Sequence, residues 1–181
     1  MLKNKEIVGV VSNYQNSLNN ILIKELDIKN INKALIMVGL DDTVLNKRVN
    51  ELSLSEQLKI DLATKLDKEI IIIGNLSKNL IHKDIEYMKK LLLKLCNEYH
   101  KKIVVIDDDI SVLINLVRHI YVMRNRQVVY DTNDFYDDEL YKYVRMPKII
   151  EFVKFVNKDS GRIDKHLEIH ELIKDIFRRL S

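Results

Sequence analysis

The chain has 181 residues, 46% hydrophobic and 31% charged, with a net charge of +3. That is the make-up of a soluble globular domain with a small appendage; the charge is too weak to argue for nucleic acid, and nothing reaches the ~18 consecutive apolar residues of a membrane span. The single cysteine, Cys96, and only four glycines exclude a disulfide framework, fit a reducing cytoplasm, and leave little material for a glycine-rich phosphate loop.

In chain order, KEIVGVVSN (5–13) reads as a strand ending in small polar residues; its apolar run is too short for a signal peptide. Residues 14–30 are Asn-rich and read as a loop followed by a helix. INKALIMVGL (31–40) carries Ile31, Ala34, Leu35 and Val38 at helical spacing, with Gly39 as the stop. After a polar connection, Ser53 and Glu56 form a capping box that opens a helix running to about residue 66. The four isoleucines of KEIIIIGN (68–75) read as a fully buried central strand. Such a strand, opening at its carboxyl end into a loop, is where an open α/β sheet keeps its chemistry.

A helix over 83–99 shows Ile85, Met88, Leu92, Leu95 and Tyr99 on one face, with Cys96 packed as a small hydrophobe. KKIVVIDDD (101–109) is a second buried strand, followed by a short helix over 110–117. Residues 119–131 read as a strand pair around a turn at 124–126 that has no glycine to ease it. From Asp134 the chain turns helical. Pro147 marks the first turn of a helix with Ile149, Ile150, Val153 and Val156 on one face. Residues 157–164 are a linker, and 166–180 form an amphipathic helix whose basic C-terminus suits the helix dipole.

Taken by themselves, Asn13 and Asn75 are loop residues and Ser53 with Glu56 is a helix cap. The acidic triplet Asp107, Asp108 and Asp109 reads first as a solvated loop and second as a magnesium site. His166 and His170, four apart on a helix, have a spacing that can hold zinc, but no third ligand accompanies them.

The order of these segments resembles the second half of an ABC transporter ATP-binding subunit of the energy-coupling factor class. VGVVSNYQNSL is similar to that family's Q-loop strand. MVGLDDTVLNKRVNELSLSEQLKIDLA is similar to its helical subdomain running into the signature helix. EIIIIGNLSKNL resembles its Walker B strand and D-loop, and residues 102–132 resemble its switch-histidine strand and closing hairpin. DDELYKYVRMPKIIEFVKFVNK with the last helix resembles the C-terminal extension of that class.

The catalytic positions depart from the family pattern. No G-x-x-x-x-G-K-S/T run occurs. Asn13 stands at the Q-loop glutamine, and Leu52 to Glu56 replace the signature motif. Gly74 and Asn75 replace the Walker B aspartate and glutamate, Ile81 the D-loop aspartate, and Asp108 the switch histidine. Phosphoryl transfer needs a phosphate cradle, a metal ligand and a group to position the nucleophile. Gly74 offers no ligand, and Asn75 cannot accept a proton. A carboxylate at Asp108 would repel phosphate by roughly 4 kcal/mol at ~4 Å and an effective dielectric near 20.

The resemblance therefore implies an α/β, P-loop NTPase-like core over 1–132 that lacks its P-loop strand. A helical subdomain lies at about 14–66 and a C-terminal helical extension at 133–181. It further implies a catalytically inactive, cytoplasmic subunit without cofactor, peripheral at the membrane's inner face. That subunit acts through contacts: with an active paralogue or a second copy through 147–180, and with a membrane coupling protein through 14–50. Two alternatives are a fragment of an ATP-hydrolysing subunit, and a metal-binding domain similar to a response-regulator receiver through Asp107–Asp109. With no P-loop strand to separate them, 69–74 should pair in parallel with 102–107, with 6–11 on the other side of 69–74.

Overall fold

The computed structural model describes residues 6–12, 21–160 and 163–180. Asn13, and residues 14–20 of the expected subdomain, lie outside them. Among the described residues, five strands form one sheet: β1 (Ile7–Val11), β2 (Ile70–Gly74), β3 (Lys102–Asp107), β4 (His119–Arg124) and β5 (Gln127–Thr132). Their order is β2-β3-β1-β4-β5. The first four run parallel, and β5 returns antiparallel along β4.

The expected pairing of β2 with β3 is present, from Ile70 opposite Lys102 to Gly74 opposite Ile106. The expected place of β1 is not. It lies on the far side of β3, against β4, and is the middle strand. β2, read as central, is the edge of the described sheet. Ile71 and Ile73 are buried, while Ile70 is 45% and Ile72 42% exposed.

The physical reason lies in which strand has cover on its inner face. A Cβ on Gly9 would sit 2.9 Å from a methyl of Leu113 and 3.0 Å from one of Val117. Only glycine lets the chain over 113–117 press that closely on the sheet, and that segment therefore seats over β1. The edge strand is blunted instead. The Lys65 ammonium donates to the Ile72 carbonyl at 2.8 Å and pairs with buried Asp61 at 2.6 Å, so one side chain occupies an exposed edge carbonyl. Burial raises the Asp61 pKa, and the Lys65 contact opposes that rise.

Among the described residues, seven α-helices accompany the sheet: α1 (Ile31–Met37), α2 (Leu54–Ala63), α3 (Leu76–Asn79), α4 (His82–Tyr99), α5 (Ile110–Leu113), α6 (Lys148–Ser160) and α7 (Ile169–Leu180). α2 opens as read. Glu56 N–H donates to Ser53 Oγ at 3.3 Å, and Ser53 N–H donates to Glu56 Oε2 at 2.9 Å. α1 ends before Gly39, whose φ is +72°. A Cβ there would also meet the Tyr87 hydroxyl at 2.1 Å, so the turn and the α1–α4 contact both require glycine.

Three expectations differ. No α-helix forms over 21–30, only a 3-10 turn at Ile23–Glu25. Tyr99, placed on the inner face of α4, is 45% exposed. α6 runs through Ser160, so half the expected linker is helical. The hairpin turn places Asn125 and Arg126 at φ 49° and 65°, the conformation a two-residue hairpin demands at both central positions.

One hydrophobic cluster joins the buried face of the sheet (Ile71, Ile73, Ile103, Val105, Ile120, Val122) to α4 and to Ile150, Val153 and Leu172 of the last two helices. A second, smaller cluster holds Ile23, Leu35, Val44, Val49, Leu52 and Ile60 together. The other sheet face is open near β2. Val8, Val104 and Ile72 share one row and Val10, Ile106 and Gly74 the next, and Val10, Val104 and Ile106 are only half-buried. A parallel sheet is ordinarily covered on both faces.

Candidate site at the carboxyl ends of the parallel strands

Because β1, β2 and β3 are parallel, the polar residues that follow each of them gather at one end of the sheet. The chain leaves β1 for the β2 edge, turns back there and returns through β3 to β4 on the far side of β1, and the ends of such strands are where an open α/β sheet binds ligands. Ser12 N–H donates to the Asp107 carbonyl at 3.2 Å, and Asn75 N–H donates to the Ile106 carbonyl at 3.1 Å. Three chain segments are thus stitched together where the strands stop. Asn75 has φ 59°, a left-handed turn that asparagine tolerates and that sends the chain into α3.

Asp107 is fully buried rather than solvated. Its Oδ2 accepts from Ser77 N–H at 3.0 Å, and its Oδ1 accepts from the Ser77 hydroxyl and from Asp109 N–H at 3.1 Å. Asp108 pairs with Lys78 at 2.7 Å. Asp109 caps α5, accepting from Ser111 N–H at 2.9 Å. The triplet's carboxylates thus turn to three different partners.

Gly74 ends β2 with no side chain to contribute. Glu56 spends its carboxylate on Ser53, whose hydroxyl and N–H hold its pKa below the usual range. Ile81 precedes α4 and is exposed. The serine and lysine of Asn75-Leu76-Ser77-Lys78 escaped the sequence reading. The available signal was that two apolar strands, one followed by Ser-Lys and one by Asp-Asp, bring those pairs together whenever the strands run parallel and adjacent.

His166 and His170 do not share a helix face. His166 lies in the extended segment before α7, with Nε2 3.0 Å from Asp175 Oδ2, while His170 is exposed on the first turn. Among the described residues, Asp164, His166 and Asp175 are the one group whose ligand atoms come close enough to share a metal ion. Asp175 is already occupied by Arg178 at 2.6 Å and Arg179 at 2.8 Å. Arg179 also reaches Asp164 at 3.1 Å.

No helix among the described residues is long and apolar enough to cross a membrane. No family model and no curated protein matches the sequence. Solved structures do match. One is cbiO1 from Clostridium perfringens, part of the ABC transporter complex cbiONQ. It is 14% identical, with 84% of this chain and 89% of that chain covered and a TM-score of 0.60. Another is MJ0796, a bacterial ABC transporter cassette seen as a dimer, 21% identical over 71% of this chain and 63% of that one, with a TM-score of 0.54. A third is MJ1267, an ABC transporter cassette in its ADP conformation, 15% identical over 82% and 68%, with a TM-score of 0.53. The receiver-like alternative raised by the acidic triplet does not fit a sheet in which β4 is followed at once by the antiparallel β5, with only helices after it among the described residues. The fold of this chain is that of an ABC transporter ATP-binding cassette.

Proposed function

We propose that this chain is an ABC-ATPase-like subunit without ATP chemistry, acting by protein contact in an uptake system of the energy-coupling factor type. The observation that carries the reading is at the ends of β2 and β3. Gly74 and Asn75 supply no metal-binding or proton-accepting carboxylate, and the nearest buried one, Asp107, is turned inward onto Ser77. Asp108 stands beside it, paired to Lys78. Ser53, Glu56 and Asp109 are committed to helix caps. Asn13 belongs with this set by its sequence position alone. No metal is assigned to Asp107–Asp109, because each carboxylate already has a protein donor.

The division into a core over 1–132, a helical subdomain at 14–66 and an extension over 133–181 follows the family resemblance; the second apolar cluster, spanning 23–60, supports the subdomain. Partner contact has support at three surfaces. The open sheet face around Ile70 and Ile72 is one. On the extension, Phe152 is 45%, Phe155 70%, Ile169 61% and Ile173 43% exposed, a concentration of large apolar side chains that marks an interface. A second copy or an active paralogue is the occupant we assign to 147–180. In the segment 14–50, Ile36 is 73% exposed, and a membrane coupling protein is its assigned partner, which makes the chain cytoplasmic and peripheral at the membrane.

Calorimetric titration of the purified chain with ATP and magnesium is expected to show no micromolar binding, and phosphate release should stay at the buffer rate. Asn75→Glu is expected to change neither, because catalytic groups that act as a unit are not restored singly. Micromolar binding, or turnover that survives repurification, would overturn the reading. For the contact surface, light scattering should give a self-dimer that Phe155→Glu with Ile173→Glu converts to a monomer. A monomeric mass for the unaltered chain removes the self-dimer and leaves the paralogue.

A further inference from the structure

A groove of about 1390 Å³ opens beside this site, between α4, α5 and the last two helices. Its walls are the first turns of α4 (His82, Glu86, Lys89, Lys90), the segment 145–149 leading into α6, and the segment 167–170 leading into α7. Leu93, Ile110, Ile114, Met146, Ile149 and Leu167 give it an aliphatic lining. Apart from His82 and His170, no aromatic ring lines it among the described residues.

The charges on its walls are arranged unequally. Four carboxylates line the groove, and each has a protein partner. Glu86 pairs with Lys89 at 3.3 Å, and Asp108 with Lys78, which lies outside the groove, at 2.7 Å. Asp109 accepts from Ser111 N–H at 2.9 Å, and Glu168 accepts from the Asn115 side chain at 3.1 Å. Three cations, Lys90, Arg145 and Lys148, also line it. Among the described residues, none of these three has an ion-pair or hydrogen-bond partner. The four lining cations, Lys89 included, match the four carboxylates in number, and since Lys78 from outside the groove offsets Asp108, one positive charge on the walls is left over. That excess sits on the side chains that are free to turn toward a ligand. The N-terminal ends of α4, α6 and α7 lie on the same walls, and their partial charge has the same sign.

We propose that this groove binds an organic phosphate: a phosphate ester held by Arg145, Lys148 and Lys90, with an aliphatic body along Ile114, Met146 and Leu167. Ammonium and guanidinium groups pair with phosphate through charge-assisted hydrogen bonds. A groove of this volume exceeds what bare phosphate needs and falls beyond the ~300–1,000 Å³ of typical small-molecule sites. With no Phe, Tyr or Trp among the described lining residues to stack a base, the aliphatic lining favours an alkyl or acyl body over a nucleotide. Asp108 and Asp109 line the groove as well as the end of β3, but the cations that would hold the ligand, Lys90, Arg145 and Lys148, are not among the residues the loss of ATP chemistry rests on. The same chemistry is offered by a soluble phosphate ester and by a phospholipid headgroup.

Hexyl phosphate, inorganic phosphate and hexanol are titrated calorimetrically into the full chain, and flotation is run with phosphatidylcholine vesicles with and without phosphatidylglycerol. Hexyl phosphate is expected to bind, inorganic phosphate to bind more weakly, and hexanol not to bind. Arg145→Gln and Lys148→Gln should each weaken hexyl phosphate about tenfold, the loss of one charge-assisted contact. Lys94→Gln, on α4 outside the groove, should leave it unchanged, and unfolding midpoints confirm that all variants are folded. Flotation with the anionic vesicles that Arg145→Gln abolishes identifies the lipid source; hexyl phosphate binding without flotation identifies the soluble one. Failure of hexyl phosphate to bind at millimolar concentration, equal binding by hexanol, or binding and flotation indifferent to Arg145→Gln and Lys148→Gln would overturn the proposal.

Discussion

Asp107→Ala is expected to lower the unfolding free energy by about 3 kcal/mol, the loss typical of breaking a buried polar network. The carboxylate is fully buried and accepts from Ser77 N–H, the Ser77 hydroxyl and Asp109 N–H. Alanine leaves two backbone donors and a hydroxyl without an acceptor, and water must enter or the donors stay unmade. Asp107→Asn keeps the shape but turns an amide NH₂ toward at least one donor, so it should recover part of the loss. Asp108→Ala is the contrast. Its partner Lys78 and Asp108 itself are 48% and 44% exposed, and an ion pair of that kind contributes less than about 1 kcal/mol. Denaturant unfolding of the three variants checks this ranking. Equal losses at 107 and 108 would mean that Asp107 is not the tie between the ends of β2 and β3. Added magnesium should leave the unaltered chain's midpoint where it is, because the carboxylates of the triplet already have donors.

Asp175→Asn is expected to lower the thermal midpoint by several degrees near neutral pH, with the difference closing in acid. Asp175 is buried and receives Arg179, His166, Arg178 and the Asp164 N–H. Arg179 first, and then His166, hold its carboxyl far below the ordinary carboxylate range, against the opposing cost of burial. A carboxylate whose pKa is depressed by folding stabilises the native state above its unfolded pKa of about 3.9 and loses that contribution as pH falls below it. The two chains should therefore differ by a steady amount above about pH 5, with the difference shrinking progressively as pH falls below about 4. Circular dichroism melts across that range measure it. A difference that stays constant into acid would assign the effect to packing rather than charge. The same carboxylate fastens the segment 163–168 to α7. Asn157 secures its other end, donating to and accepting from Ile163 at 2.6 and 2.9 Å.

How much of this could be read beforehand varied with the range of the interaction. The Ser53–Glu56 box closes within four residues, the turn at Gly39 is one backbone angle, and apolar runs report strands wherever they occur. Those features stand in the sequence because capping, turn strain and periodicity act locally. The pairing of β2 with β3 was also legible, since no strand lies between these two apolar runs in the chain and only helices connect them. Which strand took the middle was not. IVGVV and IIIIG are equally apolar, and the choice rests on Gly9 admitting Leu113 and Val117, more than a hundred residues away in sequence.

The same division holds at the candidate site. The absence of a carboxylate at Gly74–Asn75 is a property of the sequence, and with it the argument against phosphoryl transfer. The burial of Asp107 depended on Ser77, 30 residues earlier, and the groove depended on α4 meeting segments that begin 145–149 and 167–170. A carboxylate's partner and a cation's freedom are set by which distant surfaces pack together, and only the assembled sheet and helices decide that.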